Sequence, residues 1–296
     1  HPASIPSAAD LVAALEVDGD EYGDLSAGSC DGTFWCEAGE PNGGSWDTVR
    51  VSDQYACDHS MSTQGYAVGD LFAGDRDEIV IATHHSGVVC FSIPPSPQTT
   101  PWPSVTLEDS YSEGLALGDI DGDGDIDLCG GGTGSDAAAW WAENPGSSGS
   151  IPWQRHDIGA LEGDLDRIAA YDIDNDSRTD IVATRESSES PLYWFRQTAS
   201  GWERRTVATG ADYLSMHVAD FDDDGDGDIV TGEALSPLRV QIWAYRDNLQ
   251  FDTIVVSTGV QTHIGCLPID LDNDNDPDIV SNSWTEPHLL HVWRAD

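Results

Sequence analysis

Short apolar runs and acidic, turn-forming stretches alternate along the whole chain. LVAAL, YAVG, LALG, RIAAY, MHVA and CLPI each precede a nine-residue stretch rich in carboxylates. A β-rich run such as DIVAT or DIVTG follows, then a turn, then an aromatic run, then a fourth run such as RRTVAT or DTIVVST. No segment carries helical periodicity. The unit recurs about every 50 residues, which marks a repeat architecture. Four short strands in a unit of this length predict all-β, four-stranded antiparallel propeller blades. The acidic stretches begin at Glu16, Asp70, Asp119, Asp172, Asp220 and Asp270, so six blades are expected in one domain spanning 1–296.

The termini suggest how such a ring closes. Past Asp278 the chain is long enough for two strands and not three, while HPASIPSA at the start can supply one more. His1 to Ser7 is therefore expected to complete the last blade and remove an exposed sheet edge. In the first run of each unit, residues two and four before the loop are apolar: Leu115 and Leu117, Ile168 and Ala170, Met216 and Val218. The small residues between them suit an innermost strand whose other face crowds a channel. Tryptophan recurs in the third run as Trp35, Trp141, Trp194, Trp243 and Trp293, with Cys90 in the second unit. A large side chain once per unit is expected to bury the interface between neighbouring blades. Trp140, Tyr193, Trp284 and Tyr245 recur less regularly and are expected to face a ligand.

An apolar content of 39% suffices for a core, even with 54 acidic residues against 12 basic ones and a formal charge of −42. More than half of the acids fall in the six loops, so the acidity reads as ligand equipment. The residual anionic field opposes nucleic acid and anionic lipid. No apolar run reaches transmembrane length. The chain starts at His1 rather than Met, and such loops fill readily at extracellular calcium levels. A secreted, extracellular or periplasmic monomer is expected. Cys30 and Cys36 flank a hairpin turn and are candidates for a disulfide, as are Cys57 and Cys90. Cys129 and Cys266 lie in apolar strand runs and read as buried free thiols.

The loops carry the strongest chemistry. DIDGDGDID, DIDNDSRTD, DFDDDGDGD and DLDNDNDPD place carboxylates at positions 1, 3, 5 and 9, a set of hard oxygen donors that suits Ca²⁺. An apolar strand, the pattern DxDxDGxxD and a β-rich strand together resemble the FG-GAP/VCBS repeat family. That resemblance covers nearly the whole chain and implies a Ca²⁺-stabilised propeller, as in integrin α-subunits, a mushroom lectin and polysaccharide-active enzymes, where seven blades are commoner than six. It implies side-chain ligands at Asp119, Asp121, Asp123 and Asp127; Asp172, Asp174, Asp176 and Asp180; Asp220, Asp222, Asp224 and Asp228; and Asp270, Asp272, Asp274 and Asp278. Backbone carbonyls at position 7 (Asp125, Arg178, Asp226 and Asp276) would join them. Glu16, Asp18, Asp20 and Asp24 form a variant that retains ligands, whereas Phe72 and Gly74 remove two from the second loop, which is expected empty.

Function is expected on the face opposite these loops, where ligands meet the channel mouth. The connections there carry His59, Met61, His84, His85, Arg167, Arg185, Glu186, Tyr213, His217, Glu233, His263, Trp284 and Glu286. Three readings follow. A lectin-like protein would bind glycan or another extracellular ligand with Trp284, Glu286, Arg185, Glu233 and His263. An enzyme would centre on His217, which stands where other units have Ala13, Ala67, Ala116, Ala169 or Leu267. It could hold Zn²⁺ or Cu²⁺ with His59, His84, His85 and His263, or act with Tyr213 and Arg167 as a polysaccharide lyase. The third reading is a protein-interaction scaffold. No nucleophile elbow, P-loop or dinucleotide fingerprint is present.

Overall fold

β-Branched runs between acidic turns fold here as short antiparallel strands, and a computed structural model arranges them as an all-β propeller of six blades. It describes residues 9–15, 17, 24–29, 32–38, 46–52, 65–72, 76–83, 87–110, 112–134, 137–146, 151–185, 187–262, 264–283 and 289–295.

The first blade holds β1 (Ala9–Leu15), β2 (Asp24–Ser29), β3 (Gly32–Ala38) and β4 (Trp46–Ser52), in that order. The second holds β5 (Tyr66–Gly69), β6 (Glu78–Thr83), β7 (Gly87–Phe91) and β8 (Ser104–Glu108). The third holds β9 (Leu115–Gly118), β10 (Asp127–Gly131), β11 (Ala138–Glu143) and β12 (Gln154–Ala160). The fourth holds β13 (Leu165–Tyr171), β14 (Asp180–Arg185), β15 (Ser190–Thr198) and β16 (Gly201–Ala211). The fifth holds β17 (Ser215–Ala219), β18 (Asp228–Gly232), β19 (Arg239–Arg246) and β20 (Gln250–Thr258). The sixth has three strands among the described residues, β21 (Ile264–Ile269), β22 (Asp278–Asn282) and β23 (Leu290–Trp293). The segment expected to complete it, His1 to Ser7, lies outside the described residues.

The chain divides into two compact units. One comprises His1–Leu117, Gly124–Gly132 and Trp141–His156; the other comprises Gly118–Asp123, Thr133–Trp140 and Asp157–Asp296. In the first, Trp35, Val51, Ile79, Ile81, Val89, Phe91 and Trp102 form a core cluster between the first two blades. In the second, Trp194 of the fourth blade meets Tyr245 and Phe251 of the fifth edge-on, at 5.7 and 5.6 Å between ring centroids. Val230, Val240, Cys266 and Ile279 join the fifth blade to the sixth.

The recurring tryptophans are not equivalent. Trp194 pairs with Val182, two residues past Asp180, and Trp35 pairs with Ser26, two past Asp24. Trp243 and Trp293 instead pair with Ile229 and Ile279, one past Asp228 and Asp278. One step along a strand turns the side chain to the other face. Trp35 and Trp194 are accordingly buried, while Trp243 and Trp293 are half-buried. In the third blade Trp140 is the buried residue, and Trp141 stacks on His156 at 4.5 Å. Trp140, Tyr193 and Tyr245, expected to face a ligand, are buried core residues, and adjacent Tyr193 and Trp194 are both covered although they point to opposite faces of their sheet; Trp284 lies outside the described residues.

The cysteines also resolve in part. Cys36 and Cys90 are buried free thiols rather than halves of the expected disulfides, and Cys36 accepts a hydrogen bond from Thr48. Cys30 and Cys57 lie outside the described residues. Cys129 and Cys266 are buried free thiols as expected.

The chain packs closely at Gly232 on β18, where a Cβ would lie 2.0 Å from Thr262 Oγ1 and 2.7 Å from Cys266 Sγ. Both neighbours are buried. Gly232→Ala is expected to destabilise the protein by about 1–3 kcal/mol, read from the denaturant midpoint. An unchanged midpoint would show that the contact between the fifth and sixth blades is loose.

Candidate functional site

Four acidic loops are each shaped by their own first aspartate, which turns back onto backbone N–H groups. Asp220 accepts from Asp224 N at 3.2 Å and Gly225 N at 2.9 Å. Asp172 does the same for Asp176 and Ser177, and Asp270 for Asn273, Asp274 and Asn275. Loop positions 4 and 6 are left-handed in all four loops: Gly122 and Gly124, Asn175 and Ser177, Asp223 and Gly225, Asn273 and Asn275. Glycine and short polar residues adopt that conformation at least cost. The composition of these two positions therefore follows from backbone geometry.

So bent, the loops gather oxygen donors within 4.8 Å of one another: Asp119, Asp121 and Asp127; Asp172, Asp174 and Asp180; Asp220, Asp222 and Asp228; Asp270, Asp272 and Asp274. Position 5 stands apart from the first three groups. Asp176, Asp224 and Asp274 each accept the N–H of position 7 (Arg178, Asp226 and Asp276), at 3.1, 3.0 and 3.0 Å. Asp123 and Asp125 are exposed.

Position 9 does something the ligand pattern did not suggest. Asp228 accepts Phe221 N at 3.0 Å on one oxygen and Tyr245 N at 2.8 Å on the other. Asp278 holds Leu271 N and Ala295 N in the same way, at 3.1 and 2.9 Å. Asp180 holds Gln197 N at 2.7 Å and adds the Trp194 indole N–H at 2.9 Å. Asp127 holds Asn144 N, and Asp24 holds Val17 N. Glu78 takes the role in the second loop, where it accepts Leu71 N and Phe72 N. All six carboxylates are buried. Burial pushes Asp180 up to about 7 and Asp228 up to about 6, with their backbone hydrogen bonds opposing the shift.

The residues present fit a hard divalent cation. Every donor in the four groups is a carboxylate oxygen, and Asp174 Oδ1 is buried beside Asp172 and Asp180 with no hydrogen-bond partner. Glu16, Asp18 and Asp20 lie outside the described residues.

At the far ends of the same strands, the second unit carries carboxylate–guanidinium clusters. Glu162, left-handed at φ 63°, accepts from Arg204 at 2.9 Å and from the Tyr193 hydroxyl at 3.4 Å. Arg204 lies over the Tyr193 ring at 4.8 Å, and Arg185 donates to the Glu162 carbonyl. Glu233 is buried and takes three hydrogen bonds from Arg239, through its backbone N–H and its guanidinium. Arg167 sits in a β-bulge between Leu165 and Ile168 and pairs with Asp166 at 2.8 Å. His217 is half-buried on the neighbouring β17, its pKa lowered by desolvation and then by the Arg167 charge. Tyr213 is buried against Trp243 at 6.1 Å, in the core between the fourth and fifth blades. The structure thus puts His217 within the field of the Arg167 charge and places Tyr213 in the packing. His59, Met61, His84, His85, Glu186, His263, Trp284 and Glu286 lie outside the described residues. Sequence reasoning missed Glu162 and Arg204; LEGDLD, an acidic turn between strand runs, was the available signal for the first.

The model of the FG-GAP-like repeat matches residues 119–183 and 172–231, less than half the chain. No curated protein matches. Among solved structures, one described as the structural basis of specific recognition of non-reducing terminal N-acetylglucosamine by an Agrocybe aegerita lectin aligns with TM-score 0.59 at 15% identity, over 91% of this chain and 73% of that one. BBS1N in complex with ARL6DN, soaked with lead, aligns with TM-score 0.59 at 10% identity, over 93% and 76%. At such identities the likeness is one of fold.

Because Asp180 and Asp228 are raised above the ordinary 3.8, the folded state binds more protons than the unfolded chain between about pH 4 and 7. In metal-free protein these two groups therefore lower stability as pH rises through that window. A cation bound to the ionised forms reverses the penalty. Adding a divalent cation to chelated protein is expected to raise the melting temperature more at pH 8 than at pH 5. An equal rise at both would exclude these carboxylates as ligands.

Proposed function

Since the chain is an FG-GAP/VCBS repeat β-propeller, we propose that it is a calcium-loaded, extracellular protein that binds carbohydrate at the strand ends remote from its acidic loops. The all-carboxylate donor groups and the orphaned Asp174 oxygen support the calcium reading. It anchors the loops and leaves the other strand ends for recognition.

The observation that carries the ligand reading is the cluster of Glu162, Arg185, Arg204 and Tyr193. Glu162 keeps its side chain 59% exposed while three neighbours fix it, and its backbone is held in a conformation that costs energy for a non-glycine residue. A positioned carboxylate between two guanidinium groups and a phenol can both accept from and donate to sugar hydroxyls. Among the described residues no helix is long and apolar enough to cross a membrane.

The charge of Arg167 acting on His217 favours a second reading. Burial and the guanidinium charge favour the neutral imidazole, which is the form a general base needs, and the arginine would hold a substrate carboxylate. A lyase acting on acidic polysaccharide would release an unsaturated uronate, and His217→Ala would abolish that product.

A glycan array probed with calcium-loaded protein is expected to show saturable binding, weakened roughly tenfold by Glu162→Gln. Binding that survives this substitution would place the site elsewhere, and no binding to any glycan would reject the lectin reading.

A further inference from the structure

Three acidic loops carry an arginine that their own blade supplies from the end of its third strand. In the fourth blade Arg196 donates through Nε to Asp174 Oδ2 and through Nη2 to Asp176 Oδ2 at 2.8 Å. Arg178, within the loop, adds a second guanidinium to Asp176 Oδ2 at 2.6 Å, while Asp176 Oδ1 accepts the Arg178 backbone N–H. Both Asp176 oxygens are thus engaged, and Asp176 is absent from the donor group of its loop. In the fifth blade Arg246 divides its contacts between Asp222 at 2.8 Å, Asp224 at 3.7 Å and Asp252 beyond the loop at 3.2 Å. In the sixth, Arg294 reaches Asp272 at 2.9 Å, its one carboxylate among the described residues, and is 56% exposed.

These contacts are graded. Arg196 is only 22% exposed, bridges positions 3 and 5, and shares a carboxylate with a second arginine. A half-buried charge is poorly screened and repels a cation placed a few ångströms away, whereas an exposed one is screened by solvent. The same contact neutralises aspartates that would otherwise repel one another in a metal-free loop. Asp174 Oδ1, the oxygen Arg196 leaves unpaired, remains available as a ligand.

We propose that Arg196 is a resident counter-ion of the fourth loop: it holds that loop closed without metal and lowers its affinity for calcium below that of the sixth loop. The proposal rests on the calcium reading above. Loading is then sequential, and the fourth blade keeps its shape at calcium concentrations that leave it empty.

Calcium titration of the full chain, by chelator competition starting from loaded protein, tests this. Arg196→Gln is expected to tighten one site about tenfold and to lower the melting temperature of chelated protein. The tightened site should vanish when Asp172→Asn is added. Arg196→Lys, which keeps the charge and loses the fork, should hold the wild-type affinity within about twofold. Arg294→Gln should shift its site less than about threefold. An Arg196→Gln isotherm equal to or weaker than wild type, with calcium still bound, overturns the counter-ion role and leaves the calcium reading intact. A Lys variant that behaves as the Gln variant overturns it likewise. Protein that binds no calcium in any form rejects both.

Discussion

The buried carboxylate at the end of each acidic loop is the interaction on which the blades depend. One side chain ties the start of the loop to the entrance of the second strand and, in the last four blades, to the backbone at or just past the end of the third. Asn144, Gln197, Tyr245 and Ala295 donate to Asp127, Asp180, Asp228 and Asp278 in turn. Removing such a carboxylate would strand two buried N–H groups, each a costly loss. The second loop makes the point most clearly. It has lost carboxylates at positions 3 and 5, yet Glu78 still accepts Leu71 N. Position 9 is therefore a backbone latch first, and a cation ligand only where its neighbours permit.

Neighbouring blades are joined through the same loops. Asn144 donates its side-chain amide to the carbonyl of Leu71 in the preceding loop, at 2.8 Å. Gln197 does likewise to Ile120 at 2.8 Å, and Gly227 N reaches Ile173 O at 3.0 Å. The residue that bonds a latch through its backbone thus bonds the previous blade through its side chain. Metal at a loop would stiffen such a contact as well as its own blade.

The architecture was legible because it is written in local patterns. Strand alternation and loop spacing survive in every unit, and both depend only on nearby residues. What the sequence hid depends on register or on distance. Trp194 and Trp243 occupy matching runs, but the hairpins pair alike while the tryptophan moves one residue, so the two face opposite ways. The same ambiguity made Tyr193 and Tyr245 look like ligand-facing aromatics when they are core. Tyr213 follows a strand end, where exposure is the ordinary outcome, yet Trp243 and the blade interface cover it. Arg196 lies far from Asp174 in sequence, and only the closed blade brings them together. The Asn, Ser and Gly residues at loop positions 4 and 6 were visible all along; their left-handed backbone explains them better than ligand chemistry does.

Charge gives these placements their logic. All twelve basic residues are arginine, against 54 acids. Arginine's planar fork can hold two carboxylate oxygens, or two carboxylates, at once, which a lysine ammonium does less well. Arg178, Arg196, Arg246 and Arg294 stand at acidic loops, while Arg185, Arg204 and Arg239 stand at the opposite strand ends beside Glu162 and Glu233. A chain so short of cations concentrates them where carboxylates crowd for structural reasons, and metal can neutralise the remainder. Where both an arginine and a metal could serve the same aspartate, they compete, and the balance between them sets how far each blade depends on the ion.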